Sequence, residues 1–447
     1  MLFRTCMAVA ISVFAVSTAT AQQPATSAVL FEDVRIFDGT SEALSGPSHV
    51  LVEGNVIKQI SASAITPDEG IETTVIKGGG RTLMPGLIDG HTHLMMSNVP
   101  QLALLTADIG YVNIVAAKAA GEMLLRGFTS VRDMGGPVLG LKRAIDSGVT
   151  PGPRIWPSGA MISQSGGHGD FRLPTDLPAA PDAFSYSERI GAAEIADSPD
   201  MVRKRSREQL ALGASQIKVM AGGGSSSNYD PIDVTEYTVP ELEAAVGAAE
   251  NWGTYVAVHA YTPRAIRQAL EAGVRSIEHG QLVDEDTARQ MAEAGVWWSI
   301  QPFTVDDATS FAVGSSNWLK QQEVRHGTDT AYGFAKQFGV KTAWGTDILF
   351  DPAKAAEQGS FLAKMTRWYT SAEALRMATA DNAELLALSG LRSPYQGKLG
   401  VVEEGALADL ILVDGNPLET LELVADPAAN FDVIIKDGRI YKNAVSN

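Results

Sequence analysis

Residues 83–93 read LMPGLIDGHTH, an apolar run that passes a Pro-Gly step and ends on His91 and His93. Read as a strand, its alternate residues point the same way, so the two imidazoles of the H-x-H pair face one point. Alone such a pair is weak, because histidines also meet at strand ends by chance. The rest of the chain gives it weight. A helical pattern repeatedly ends at a glycine, and a strand-like run begins within a few residues. This happens after Gly127 (FTSVRDM), Gly213 (SQIKVM), Gly253 (TYVAVHA), Gly273 (VRSIEHG), Gly295 (VWWSIQPF) and Gly339 (VKTAWGTD). Glycine takes the left-handed conformation at a helix end at little cost, so the chain can turn straight into a strand. With the opening stretch and PRIWPSGAMIS (153–163), eight strands alternate with helices, the rhythm of a parallel (β/α)8 TIM barrel of the α/β class. A doubly wound open sheet shares that rhythm, but no Gly-rich dinucleotide fingerprint follows the first strand.

The two ends of the chain read differently. VLFEDVRIF (29–37) and HVLVEGNVIKQI (49–60) are β-branched runs, the second folding back at Gly54-Asn55. LADLILVDG (407–415) and VIIKDGRIYK (433–442), turning at Asp437-Gly438, are their counterparts near the other terminus. Neither end holds enough strands for a stable sheet. Both are therefore expected to join in one small discontinuous β-sandwich (22–84 and 393–447), with the barrel (85–392) inserted between them.

A chain of 447 residues suits a barrel plus a companion domain. Its 35 basic and 52 acidic side chains leave a net charge of −17, which argues against nucleic acid or an anionic membrane as partner. Residues 1–21 read as an export signal: Arg4, an apolar stretch from Met7 to Val16, and a small-x-small cleavage site at Ala19-Thr20-Ala21. That stretch falls short of the ~20 apolar residues of a membrane anchor, so the mature protein is expected in the periplasm or outside the cell. The single cysteine, Cys6, lies inside this leader without the small residues that precede a lipidation site. The mature chain then has no thiol, and any soft-metal site must be built from histidine, carboxylate and lysine.

Such residues recur at one end of the strands. His259 ends the fifth strand, His279 the sixth and Asp347 the eighth, while Lys218 lies in the fourth, where a buried lysine is costly. With His91 and His93 they converge on one mouth of the barrel. His49 and His326 fall outside this constellation and are read as surface residues. Two long loops, 164–199 and 304–317, leave the same face and are candidate lids or pocket walls. Trp298, Phe303 and Phe350 lie at or beyond strand ends, where aromatics line an apolar pocket as often as they pack, and they are left out of the site.

This constellation, with MPGLIDGHTHL, MATADNAELLAL (377–388) and EEGALADLILVDGNP (403–417), resembles the amidohydrolase superfamily over essentially the whole mature chain. KVMAGGG (218–224), VAVHAYT (256–262) and SGGHGD (165–170) are similar to its imidazolonepropionase-like subgroup, which includes prolidase-type dipeptidases and ochratoxin A-hydrolysing amidohydrolases. The resemblance implies two zinc ions bridged by a carboxylated Lys218 and a hydroxide. His91, His93 and Asp347 would hold one ion, His259 and His279 the other. Burial favours the neutral lysine amine that takes up carbon dioxide to give the bridging carbamate. Asp347 is then the expected proton carrier, and His168 and Tyr261 match positions the family uses near the substrate.

The implied substrate is a small amide ending in an amino acid. An N-acyl amino acid, a dipeptide, or ochratoxin A cleaved to ochratoxin alpha and phenylalanine all qualify. The resemblance also favours a homo-oligomer. Three other readings stay open: an Xaa-Pro dipeptidase, an imidazolonepropionase-like cyclic amidase, and a non-catalytic binding protein on the same fold. Imidazolonepropionases generally work with one metal, so Lys218 counts against the second. Non-catalytic relatives usually lose metal ligands, and none is missing here.

Overall fold

The computed structural model describes residues 27–445 apart from Pro178, Pro181 and Asp182. The expected export leader, with Cys6, lies outside the described residues. The chain begins with β1 (Ser27–Ile36), β2 (Ser48–Glu53), β3 (Val56–Ser61), β4 (Glu72–Lys77) and β5 (Thr82–Pro85). The central strands are β6 (Leu87–Thr92), β7 (Phe128–Asp133), β8 (Arg154–Pro157), β9 (Met161–Ser163) and β10 (Ala193–Ile195). They continue with β11 (Ile217–Met220), β12 (Val256–Ala260), β13 (Ser276–His279), β14 (Trp297–Ile300) and β15 (Lys341–Trp344). β16 (Leu410–Val413), β17 (Phe431–Lys436) and β18 (Arg439–Asn443) close the chain.

Strands from both termini share one sheet of order β18-β17-β16-β5-β1-β2-β3, with β4 also paired to β1. The join is β5, which runs antiparallel to β16 and parallel to the end of β1. β1 serves two ladders because its register shifts between Phe31 and Val34, where Asp33 sits at φ 55°. Such a bulge bends the strand and folds the sheet over itself. Phe31, Val50 and Val52 then meet Leu410, Leu412 and Val433 in a dry core of their own.

The central strands run parallel in sequence order. β6-β7-β8 form one ladder, and β9 and β11 to β15 form another. At the seams the Asp347 N–H donates to His91 O at 2.8 Å and the Ser215 N–H to Pro157 O at 2.7 Å. This α/β architecture, with a mixed sheet from both chain ends, is consistent with a (β/α)8 barrel carrying a β-sandwich. All six glycines that punctuate the sequence take left-handed φ, from +63° to +109°.

Two expected strands are broken in the structure. LMPGLIDGHTH supplies β5 to the sheet domain and β6 to the barrel, parting at Gly86, where a Cβ would lie 2.1 Å from Thr129 Oγ1. PRIWPSGAMIS likewise divides into β8 and β9 around Gly159. Within the loop 164–199 the three-residue β10 pairs parallel with β9. It was not expected, because three residues are too few to show a period. No helix among the described residues is long and apolar enough to cross a membrane.

Candidate metal centre and substrate cavity

The site begins with a close approach of backbones. A Cβ on Gly90 would lie 2.7 Å from Trp344 O, and one on Gly345 would lie 2.6 Å from His91 N. Only glycine at both places lets β6 and the end of β15 come this near. The chain then turns inward through Asp347, at φ 47°. His91 Nε2 and His93 Nε2 consequently lie 3.3 Å and 3.2 Å from the same Asp347 Oδ1. The three residues form a metal-binding cluster, each with a ligand atom within 4.8 Å of the others. His91 Nε2 is buried without a hydrogen-bond partner, an orphaned lone pair that a metal ion would satisfy. Two imidazoles and a carboxylate suit a borderline ion better than magnesium or calcium.

The other three expected ligands stand around this cluster. The His279 ring centroid lies 5.0 Å from that of His91 and 4.3 Å from that of His259. His259 Nε2 faces Gly223 O at 3.0 Å, leaving Nδ1 as its remaining ligand atom. His279 Nδ1 faces Gln301 Oε1 at 2.6 Å and lies 3.8 Å from Asp347 Oδ2. Lys218 is buried and has no hydrogen-bond or ion-pair partner among the described residues. Burial pushes its ammonium down to about 8, against the pull of Glu278 and Asp347.

Behind the cluster lies a layer that the sequence does not reveal. Glu278 accepts from Arg132 Nη2 at 2.8 and 2.9 Å and from Ser276 Oγ at 2.6 Å, and its Oε2 lies 2.8 Å from His91 Nδ1. Burial alone would raise this carboxyl, but Arg132 and His91 outweigh it and hold Glu278 well below the usual range. An ionised carboxylate only accepts, so His91 Nδ1–H donates to it, and Nε2 is left as the ligand atom. His93 Nδ1 faces Gly135 O at 2.8 Å to the same effect. Asp89 locks the two strands together, accepting from Thr346 Oγ1 and Gln358 Nε2, both at 2.7 Å.

Strict strand alternation cannot turn both Glu278 and His279 inward. They both face the interior because His279 adopts φ 78° at the strand end. The one available signal was a glutamate written directly before a histidine expected to be a ligand.

All six expected ligands, with His168 and Tyr261, line one cavity of about 350 Å³. His168 stacks on His259 at 4.0 Å between centroids, and its Nδ1 lies 2.8 Å from Ser227 Oγ. Burial pushes it down to about 4, so it is neutral at ordinary pH. Tyr261 stands edge-on to His259 at 4.9 Å. Both long loops wall the cavity, one with His168 and Phe171, the other with Ser310 and Phe311. Phe303 and Phe350, left out of the expected site, line it too while packing against the core. Trp298 is packing: fully buried, its indole N–H donates to His279 O at 2.8 Å. His49 is half-buried in β2, whereas His326 is exposed as expected.

A parallel α/β fold that gathers two histidines from its first strand and an aspartate beyond its last around a cavity defines a class of metal-binding hydrolase. The chain belongs to the amidohydrolase family, whose sequence profile matches residues 82–442. It is 30% identical to the ochratoxinase of Aspergillus niger over 432 residues, covering 91% of this chain and 85% of that protein. A prolidase solved with N-methylphosphonate-L-proline is 35% identical with a TM-score of 0.84, covering 93% of this chain and 100% of that one. An Xaa-Pro dipeptidase solved with methionine in its active site is 29% identical with a TM-score of 0.78, over 93% and 100% of the two chains.

Proposed function

We propose that this chain is a zinc-dependent, binuclear amidohydrolase of carboxypeptidase type. It would hydrolyse the amide bond to a C-terminal amino acid in an N-acyl amino acid or dipeptide, ochratoxin A included. One observation carries the reading. His91 Nε2 and His93 Nε2 meet on Asp347 Oδ1 in the cavity lining, with the unpaired Lys218 in the same lining. The similarity to ochratoxinase supports the choice of substrate.

His91, His93 and Asp347 would hold one ion, and His259 and His279 a second. Lys218, as a neutral amine, would add carbon dioxide, forming an N–C bond and shedding a proton to become an anionic bridge with two oxygens. Bound metal supplies Lewis acidity, polarising the scissile carbonyl and easing deprotonation of the attacking water. Asp347 accepts that proton and passes it to the amide nitrogen, which leaves poorly until it is protonated. His168, neutral and hydrogen-bonded through Nδ1, and Tyr261 hold the substrate's carbonyl or terminal carboxylate by hydrogen bonds.

The test is a hydrolysis screen of the zinc-loaded protein with metal analysis. The substrates are N-acyl amino acids ending in aromatic, proline or basic residues, with ochratoxin A included. Cleavage with two zinc ions per chain is expected, and no cleavage of any amide sinks the reading. The similarity to a prolidase that binds a proline analogue favours a second reading, an Xaa-Pro dipeptidase on the same residues. Preference for Xaa-Pro dipeptides in that screen selects it. Residues 1–21 are read as a leader, so the exported protein is expected to begin at Gln22, which N-terminal sequencing checks.

A further inference from the structure

The cavity has a second charged wall that the proposed hydrolysis does not use. Arg325, from the helix Ser316–Phe338, and Lys354, from the helix Pro352–Ala356, both line it. In a chain of net charge −17, two cations on the wall of a substrate cavity call for an explanation. A guanidinium carries five N–H donors. Arg325 is 5% exposed, and it directs two of its donors to the carbonyls of Asp307, at 2.8 Å, and Ala308, at 3.0 Å. Its Nε is buried with no partner among the described residues. Lys354 Nζ donates to the same Ala308 carbonyl at 2.6 Å and forms no carboxylate pair among the described residues.

Neither Arg325 nor Lys354 is paired with a carboxylate among the described residues. Lys364 pairs with Asp307. The charges that act on Lys354 are those of Arg325 and Lys364 against those of Asp351 and Asp307. Burial lowers the affinity of both Arg325 and Lys354 for their protons, and Asp307, with Asp351 for Lys354, offsets only part of it. Gln321 lies one turn before Arg325, so both project from the same side of the helix. It too lines the cavity, with its Oε1 buried and unpartnered. Phe303, Phe311, Phe350 and Phe361 complete an aromatic surround for the same space.

We propose that Arg325 and Lys354 form an anion subsite, so that the preferred substrates are amides carrying an acidic group on a part of the molecule that occupies this aromatic-walled space. The proposal rests on the reading of this cavity as the hydrolytic site. A substrate oxyanion there supplies the missing counter-charge and accepts the free donors in short, charge-assisted hydrogen bonds. An amide isostere of the same shape leaves both cations without a counter-ion.

Two isosteric pairs test it. N-benzoyl-L-glutamate against N-benzoyl-L-glutamine places the acid on the amino-acid side of the scissile bond. N-(para-carboxybenzoyl)-L-phenylalanine against its para-carbamoyl analogue places it on the acyl side. In at least one pair the acid is expected to exceed the amide in kcat/KM by about tenfold or more. Lys354→Met and Arg325→Gln are expected to reduce that ratio to about twofold, the loss falling on the KM of the acid. Lys354→Met gives up one contact to the 304–317 loop, its own to Ala308, but keeps both Arg325 contacts, so it reads the subsite even where Arg325→Gln disturbs that loop. Equal handling of acid and amide by the wild type in both pairs overturns the proposal. So do variants that slow both members alike, which makes the cations loop anchors only. Where no member is hydrolysed the amidase reading fails, and Kd for the wild type, by calorimetry, decides the subsite. Tighter binding of the acid upholds it and equal Kd values overturn it.

Discussion

Two buried arginines on neighbouring strands make the same kind of contact for different ends. Arg132 on β7 pairs in register with Trp156 on β8, and Arg154 on β8 pairs with Ser130, two rungs away. Arg132 faces the barrel interior and grips Glu278, which in turn grips His91. Arg154 faces the sheet domain, reaching Asp409 Oδ2 at 3.1 Å and Asp437 Oδ1 at 2.6 Å. One cluster sets which nitrogen of a ligand histidine carries the proton. The other joins the barrel to a segment almost three hundred residues further on. The chemistry of a buried guanidinium–carboxylate pair therefore does not announce a role. The next group in the chain of contacts decides it, and for Arg132 that group is a metal ligand.

The difference between the regions is broken or sharpened by substitution. The largest effect is expected at the mouth itself. Asp347→Asn keeps the size of the side chain and loses its basicity, so kcat is expected to fall by about 10²–10⁴ with most of the metal retained. Steady-state kinetics on the metal-replete variant, beside metal analysis, checks it. Wild-type turnover with full metal content would remove Asp347 from proton transfer.

Next comes Arg132→Met, which leaves Glu278 buried without its counter-ion. A loss of about 3–5 kcal/mol in unfolding free energy is expected, together with a 10–100-fold weaker metal affinity. Denaturant titration and competition with a chelator measure the two. Destabilisation with unaltered metal affinity would reduce Arg132 to scaffolding and erase the contrast with Arg154.

At the seam, Asp409→Asn removes charge from two Arg154 contacts and from the acceptor of the Asp437 N–H, 2.7 Å away. About 1.5–3 kcal/mol of stability is expected to go with it. Activity per folded molecule and metal content are expected to stay at wild-type values. A fall in kcat/KM that tracks the stability loss would mean that the seam and the mouth are coupled.

These expectations also show what the sequence could carry. The six expected ligands were legible because five of them fall at or just beyond strand ends, with Lys218 inside β11, and the helix-glycine-strand punctuation marks where the strands lie. The discontinuous sheet domain was legible because neither terminus could satisfy its own edges. Arg132 and Glu278 were not legible, because their meaning lies in a cross-strand contact and in the left-handed turn at His279. The parting of LMPGLIDGHTH into two sheets was hidden as well. It depends on Thr129 crowding Gly86 from a neighbouring strand. Phe303 and Phe350 stayed undecided because an aromatic beyond a strand end looks alike whether it fills a core or walls a cavity.

The smallest effect is expected from Asp437→Asn, and its pH dependence makes it informative. Asp437 sits at φ 54°, a conformation asparagine tolerates, so the substitution adds no backbone strain. Burial would raise its carboxyl, but Arg154 and Asn55 bond the ionised form and hold it below the usual aspartate range. A depressed carboxylate stabilises the fold above its unfolded pKa, and that contribution is lost as pH falls through the folded value. The side chain is 44% exposed, so solvent screens the pair, and a difference below about 1 kcal/mol from wild type is expected near neutrality. That difference should hold from neutral pH down to about 5 and close in more acid solution, once the unfolded chain's aspartates protonate. Paired denaturation curves across this range check it. A difference that widened toward acid would mean that Asp437 is protonated in the native seam, and that Arg154 rests on Asp409 alone.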